Sequence, residues 1–239
     1  MLIEGFHALK HALRFGASIE LAVADDLDAV ADLAGSLAPD IAGALRSLVR
    51  PVDRNTLRGL TPEPHATGVL AIARRPTVEV SRLLEPSPEP VVLLERPTHL
   101  GNVGAVVRVA AAAGAAGVLT TGPLDPWHPA ALRGSAGLHF ALAVAHVDTL
   151  GETARQLVAF SPDGSPSALA GMRPGSVLAF GTERGGLGPD LLSRAERRVA
   201  LPMRPGVSSL NLATSVAIAL YAKPNASLAG CAAPYLSMV

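Results

Sequence analysis

Arg108 sits inside an apolar run, with Val106, Val107, Val109 and Ala110 around it. A guanidinium in that company must reach a partner or solvent, because an unpaired buried charge is costly. It is either half of a structural ion pair or a fixed cation facing an anionic centre. Guanidinium stays protonated at any working pH, so its natural chemistry is electrostatic stabilisation of developing negative charge. Asn102 lies six residues upstream and Gly104 four upstream. Asn102 could cap a helix or orient Arg108, and Gly104 permits close backbone approach. A second group is the loop Gly181 to Gly188, where Glu183 and Arg184 interrupt glycines. The two could form a surface pair of little energetic consequence. A third is Ser208-Ser209-Leu210-Asn211, just ahead of an alanine-rich segment. Ser208 or Ser209 is predicted to cap the helix there.

Short apolar runs position these groups. Val177 to Phe180 follows Pro174-Gly175 and reads as a strand, and Arg198 to Met203 is a second apolar run that stops at a proline. Strand, glycine loop, strand, polar loop and helix make half of an α/β nucleotide-type site, whose ligands sit beyond the carboxyl ends of the strands. Upstream, Val91 to Leu94, a helix from Asn102 to about Ala113, and a strand within Gly114 to Thr121 form a βαβ unit with parallel strands. Trp127 to Leu142 reads as one helix running through Ser135-Ala136-Gly137, Thr149 to Leu157 as another, and Leu157 to Phe160 as a strand.

The first 75 residues read as a small α/β domain. Phe6, Leu9 and Leu13 fall at helical spacing, with His7, Lys10, His11 and Arg14 on the other face. His7 and His11 are four apart and could hold a metal, but no third ligand is near, so a solvated face and no metal are expected. Four prolines between residues 76 and 90 mark a stiff linker. The expected organisation is therefore 1–75, a linker at 76–90, and an α/β domain over 91–239.

The 239 residues are 49% apolar, enough for a sizeable core, and formal net charge is zero, so any surface for an anionic polymer must be local. Of the 20 basic residues only Lys10 and Lys223 are lysines. Cys231 is the single cysteine, which excludes an intrachain disulfide framework. No signal-like segment opens the chain, and no apolar run reaches the roughly 18 residues of a membrane span. A soluble cytoplasmic protein is expected.

Three segments, in order, carry a resemblance. Asn102-x-Gly104-x-x-x-Arg108-x-Ala110, then GTERGGLGPDLL with VALPM, then SSLNLATSVAIALY resemble the three motifs of the SpoU (TrmH) family of the SPOUT superfamily. They span about Val91 to Tyr221, and Arg133 to Gly137 extends the likeness. The resemblance implies an RNA ribose 2′-O-methyltransferase that uses S-adenosylmethionine, acts on rRNA or tRNA, works as a homodimer, and carries a deep trefoil knot in a C-terminal parallel-sheet domain. It implies catalytic roles for Arg108, Asn102, Glu183, Ser209 and Asn211. It implies cofactor contacts from Phe180, Gly181, Leu201, Met203, Ser209 and Leu210. In the family the matching arginine is often treated as the base, whereas its fixed charge argues for a stabiliser of the 2′-oxygen. Gly5-x-x-Ala8-Leu9-x-x-Ala12-Leu13 resembles the first helix of an L30e-like RNA-binding domain. Two departures stand out: Ser208 replaces a common glutamate, and the tail after Tyr221 lacks the family's charged helix.

A dinucleotide oxidoreductase is the first rival, but neither glycine segment keeps the G-x-G-x-x-G spacing, and no P-loop occurs. A non-catalytic RNA-binding relative and a SPOUT enzyme methylating a base are the others.

Overall fold

The computed structural model describes residues 1–61, 65–182, 185–207 and 209–222. In chain order its elements are β1 (Leu2–Glu4), α1 (Phe6–Arg14), β2 (Ile19–Ala24), α2 (Leu27–Leu37), α3 (Ala42–Leu48), β3 (Val49–Pro51), α4 (Arg54–Leu60), β4 (Val69–Ala73) and α5 (Val80–Leu83). There follow β5 (Val91–Leu94), α6 (Leu100–Ala112), β6 (Gly117–Thr120), α7 (Pro129–Gly134), β7 (Ala143–His146), β8 (Leu157–Phe160), β9 (Val177–Phe180), α8 (Pro189–Arg194), β10 (Arg197–Val199) and α9 (Leu212–Tyr221). The chain packs as two units. One comprises Met1–Val78, His99–Arg108 and Asp125–Ala143; the other comprises Glu79–Thr98, Val109–Leu124 and Val144–Val239.

The first unit holds a four-stranded sheet in the order β1-β4-β2-β3, with β4 antiparallel to both neighbours and β2 parallel to β3. The helical spacing read from the sequence places Phe6, Ala8, Leu9 and Ala12 of α1 in its core, with Ile3, Ala22, Leu45 and Val69. Asp26 and Asp53 cap α2 and α4 by accepting from Ala29 N and Thr56 N, which satisfies amides left open by each first turn.

The second unit is built on a six-stranded sheet, β10-β8-β9-β5-β6-β7. The pairs β10/β8, β8/β9, β9/β5 and β5/β6 are parallel. VVLL, GVLT and VLAF are buried at every position, which is why they read as continuous apolar runs rather than alternating ones. No helix among the described residues is long and apolar enough to cross a membrane.

Four segments differ from the sequence reading. Residues 149–156 form no helix: Thr153 Oγ1 donates to Leu84 O at 2.7 Å and accepts from Arg155 N at 3.1 Å. Arg155 Nη1 donates to the carbonyls of Glu89 and Gly175. These tertiary bonds replace the local ladder. The helix expected over 127–142 stops at Gly134, because Ala136 (φ 53°) and Gly137 (φ 79°) are left-handed and Gly137 N reaches back to Leu132 O at 2.9 Å. A 3-10 turn, Leu138–Ala141, follows. The run at 198–203 is a strand only through Val199, after which the chain leaves the sheet. The proline-rich segment contains the helical turn α5.

Candidate functional site

Parallel register aligns the ends of three strands: Phe160 pairs with Phe180 on one side and Val199 on the other. The rings of Phe160 and Phe180 stack with centroids 4.5 Å apart and planes 10° off parallel. Beyond these strand ends lies a cavity of about 440 Å³. Its lining includes Phe180, Gly181, Leu201, Met203, Ser209 and Leu210, so all six positions expected to hold a cofactor border one space. Phe160, Ser161, Pro162, Thr182, Leu212 and Ser215 line it too. The sequence reading missed these, although Phe160 ends a strand that it predicted. Apolar walls with a few hydroxyls and backbone groups suit a flat heteroaromatic ring with polar edges.

The glycine loop is closed on itself. Thr182 and Gly186 exchange backbone bonds of 3.1 and 3.0 Å, and Gly185 N donates to Thr182 Oγ1 at 2.8 Å. A Cβ on Gly181 would lie 1.9 Å from the carbonyl carbon of Gly186, so only glycine fits. Glu95, at the end of β5, ties the loop down by accepting from Gly188 N at 2.6 Å. Glu183, expected to be catalytic, lies outside the described residues, as do Arg184 and Ser208.

Ser209 does not cap α9. Asn211 does, its side-chain oxygen accepting from Ala213 N (2.9 Å) and Thr214 N (3.4 Å). That leaves Ser209 exposed on the cavity rim. The helix-cap reading of this S-L-N segment therefore belongs to its asparagine.

Arg108 and Asn102 belong to the first unit. Asn102 is the third residue of α6, inside its first turn rather than at the cap. Gly104 serves packing: a Cβ there would meet Ala131 O at 2.2 Å and Ser135 N at 2.9 Å, so α6 lies directly on the end of α7. Arg108, one turn further, is exposed. Among the described residues no carboxylate forms an ion pair with it, which removes the structural-pair reading there. Its charge instead acts on other bases, depressing both His7 and Lys10 behind the larger effect of their burial. Among the described residues no three His, Cys, Asp or Glu side chains are grouped to hold a metal. His11 uses Nδ1 to donate to Ala136 O at 2.7 Å.

Residues 89–221 match the profile of the SpoU rRNA Methylase family. An uncharacterized tRNA/rRNA methyltransferase of Mycobacterium tuberculosis is 31% identical over 209 residues, 80% of this chain and 67% of that protein. The 23S rRNA (uridine(2479)-2′-O)-methyltransferase of Streptomyces viridochromogenes is 29% identical over 64% of this chain and 58% of its own length. The matched segments span 51% to 63% of three such curated relatives. Among solved structures, the AdoMet-bound rRNA methyltransferase from Sinorhizobium meliloti superposes with a TM-score of 0.72 at 25% identity, covering 92% of this chain and 85% of that one. A solved RNA 2′-O ribose methyltransferase gives 0.68 at 30% identity, covering 92% of this chain and 86% of that one.

Proposed function

The chain belongs to the SpoU rRNA Methylase family, and on that premise we propose that it transfers the methyl group of S-adenosylmethionine to a ribose 2′-hydroxyl of rRNA or tRNA. The observation that carries the reading is the cavity at the ends of β8, β9 and β10. Residues from four separate sequence segments line it together, and its size falls within the range of small-molecule sites. Phe160, Phe180, Leu201 and Leu210 would cover the faces of a purine, and backbone groups around Gly181 and Met203 would meet its edge. S-adenosylmethionine supplies an electrophilic methyl on sulfur. Around a bound cofactor the apolar walls would exclude water from that methyl, which would favour transfer because charge is lost from sulfur as it moves.

Arg108 carries the other half of the proposed chemistry. Its guanidinium cannot serve as a base at working pH, so it stabilises the 2′-oxygen as that atom gains negative charge. The proton leaves to a phosphate or water. Asn102, one and a half turns earlier on α6, is proposed to orient Arg108 or the ribose, and Glu183 to act as an orienting acid in the glycine loop. Ser209 and Asn211 hold the third segment against the cavity, Asn211 by its cap.

The same reading includes a deep trefoil knot in the C-terminal parallel-sheet domain over 91–239, an L30e-like domain over 1–75 that binds RNA, a linker at 76–90, and a cytoplasmic homodimer. Ile218 and Tyr221 leave apolar surface exposed on α9, at 40% and 54%, which supports pairing through that helix. The first-motif helix offers no comparable face, since Val103, Val106, Val107 and Ala110 are already buried within the chain. Light scattering should give twice the 24.4 kDa chain mass; a fully active monomer would rule the dimer out.

Calorimetric titration with S-adenosylmethionine and its demethylated product, followed by mapping of 2′-O-methyl groups in host RNA with and without the gene, tests the whole reading. A folded protein with no heat of binding to either compound refutes it. Binding without methyl transfer would make the chain an RNA-binding relative, and methyl found on a base would reassign the acceptor.

A further inference from the structure

The first unit contains a second chemical arrangement, separate from the cavity. Along α1, His7, Lys10, His11 and Arg14 fall at spacings of three and four and share one face. Lys10 exposes only 9% of its surface, yet among the described residues it has no ion-pair partner. The one acid acting on it, Asp40, is already held bidentately by Arg14 at 2.9 and 2.6 Å. The Ser135–Gly137 turn gathers the cluster. His11 donates to Ala136 O, Gly137 packs against the backbone of Ala8, and Gly104 of α6 packs against Ser135. Ala136 is one of two non-glycine residues among those described to have positive φ, and it places that carbonyl. One turn along α6 from Gly104 stands Arg108.

Bases crowded in this way destabilise one another. Burial pushes His7 below its ordinary range, and Lys10, His65 and Arg108 add to it. Burial and Arg14 push Lys10 down, with Asp40 opposing and Arg108 adding. His11 is lowered by burial, partly offset by its bond to Ala136, and lowered further by Lys10, Arg14 and His7. Such a group is relieved by an anion, and no carboxylate of the described residues supplies a free one.

We propose that His7, Lys10 and His11 of α1, together with Arg108, form a seat for a backbone phosphate of the substrate RNA. The proposal rests on the RNA-methylating reading and deepens it. The phosphate seated there sits beside the arginine assigned to the 2′-oxygen, so it fixes the register of the acceptor nucleotide. It also offers a place for the departing proton. Phosphate contacts position a nucleic acid without reading its sequence, so the seat contributes affinity and orientation rather than choice of base.

The test uses a short labelled oligouridylate, followed by anisotropy from about 50 to 200 mM salt. Lys10→Met should weaken binding and reduce the slope of log affinity against log salt by about 0.7, the value for one single-strand phosphate contact. Lys10→Arg should keep the parent slope. An unchanged slope in Lys10→Met, or an equal loss in Lys10→Arg, overturns the seat. If Lys10→Met fails to fold, the parent protein answers through imidazole NMR. Oligouridylate should raise the titration midpoints of both His7 and His11, because a bound anion favours their charged forms. Unmoved midpoints overturn the seat. Inorganic phosphate that raises them where oligouridylate does not, or polyglutamate that displaces oligouridylate as well as RNA does, overturns the assignment to RNA. Methyl transfer to ribosomal RNA is measured alongside. A protein that methylates RNA with an unchanged Lys10→Met slope loses the seat and keeps the function; a protein with the slope change and no transfer does the reverse.

Discussion

The cavity at the ends of β8, β9 and β10 and the basic face of α1 are built by opposite means. The cavity is apolar, formed by loops that follow buried parallel strands, and two phenylalanine rings stack at its edge. The α1 face is cationic and half-desolvated, and its members repel one another. An apolar cavity is stable empty or filled by a flat ring, whereas a crowd of bases is at rest only against an anion. On the proposed reading, one unit would receive a flat ring and the other an anion, each in keeping with half of the proposed reaction.

Arg108→Ala gives the largest expected effect and the sharpest separation of the two regions. Turnover should fall roughly 100- to 1000-fold, the usual result of removing one preorganised donor, while S-adenosylmethionine affinity stays near the parent value. Arg108→Lys should rescue only part, because a point charge lacks the planar fork. Single-turnover methylation beside a melting curve checks this; parallel loss of activity and melting temperature would return Arg108 to a structural role.

Next in size is an acid effect confined to the first unit. His139 is fully buried and its pKa is lowered to about 4 by burial. Its Nε2 lies 2.8 Å from Pro126 O, which can only accept, so Nε2 carries the proton and Nδ1 accepts from the Ser135 hydroxyl at 2.7 Å. The unfolded chain binds a proton at the ordinary value near 6.5, the folded chain only near 4. Stability contributed by the neutral ring is therefore complete above pH 6.5 and is lost as pH falls from there toward 4. The loss should reach about 3 kcal/mol. Urea melts between pH 7 and 4 test it, and His139→Gln should flatten the dependence.

A smaller effect belongs to the cavity. Gly181→Leu places a side chain where a Cβ alone would sit 1.9 Å from Gly186, so the loop must move. S-adenosylmethionine should bind at least about tenfold more weakly, and oligouridylate binding through the α1 face should not change. Calorimetry and anisotropy on one preparation separate these.

The smallest concerns Asn211. Its alanine variant loses the α9 cap, at a cost of about 1 kcal/mol, or a fall in melting temperature of about 2–4 °C. If turnover drops far beyond what that destabilisation explains, Asn211 touches the reacting groups as well.

How much of this was legible follows from sequence distance. Phe180-Gly181, Leu201 to Met203 and Ser209-Leu210 were legible through the resemblance to the family, whose motifs are short contiguous segments; periodicity and spacing alone did not name them as cofactor contacts. Phe160 lay at the end of a predicted strand, but nothing local says that β8 pairs with β9, so its place in the cavity was hidden. The helix expected over 149–157 failed because Thr153 and Arg155 satisfy backbone groups more than 60 residues away in sequence. The cap moved from serine to Asn211 because a cap depends on where the first helical turn closes, which propensity locates only to within a residue or two.

The sequence by itself determined the parallel α/β sheet, the apolar face of α1, the ordered set of segments that identify the family, and the lack of any strong net charge. Periodicity, run length and spacing are local properties and need no fold to be read. The tertiary structure alone decided that residues 99–108 and 125–143 pack with residues 1–78. Through that packing Arg108 keeps company with His7 and Lys10, and the Ser135–Gly137 turn becomes the meeting point of α1 and α6. These depend on charge and van der Waals contact across more than 90 residues of chain, and no local rule encodes which distant bases must come close together.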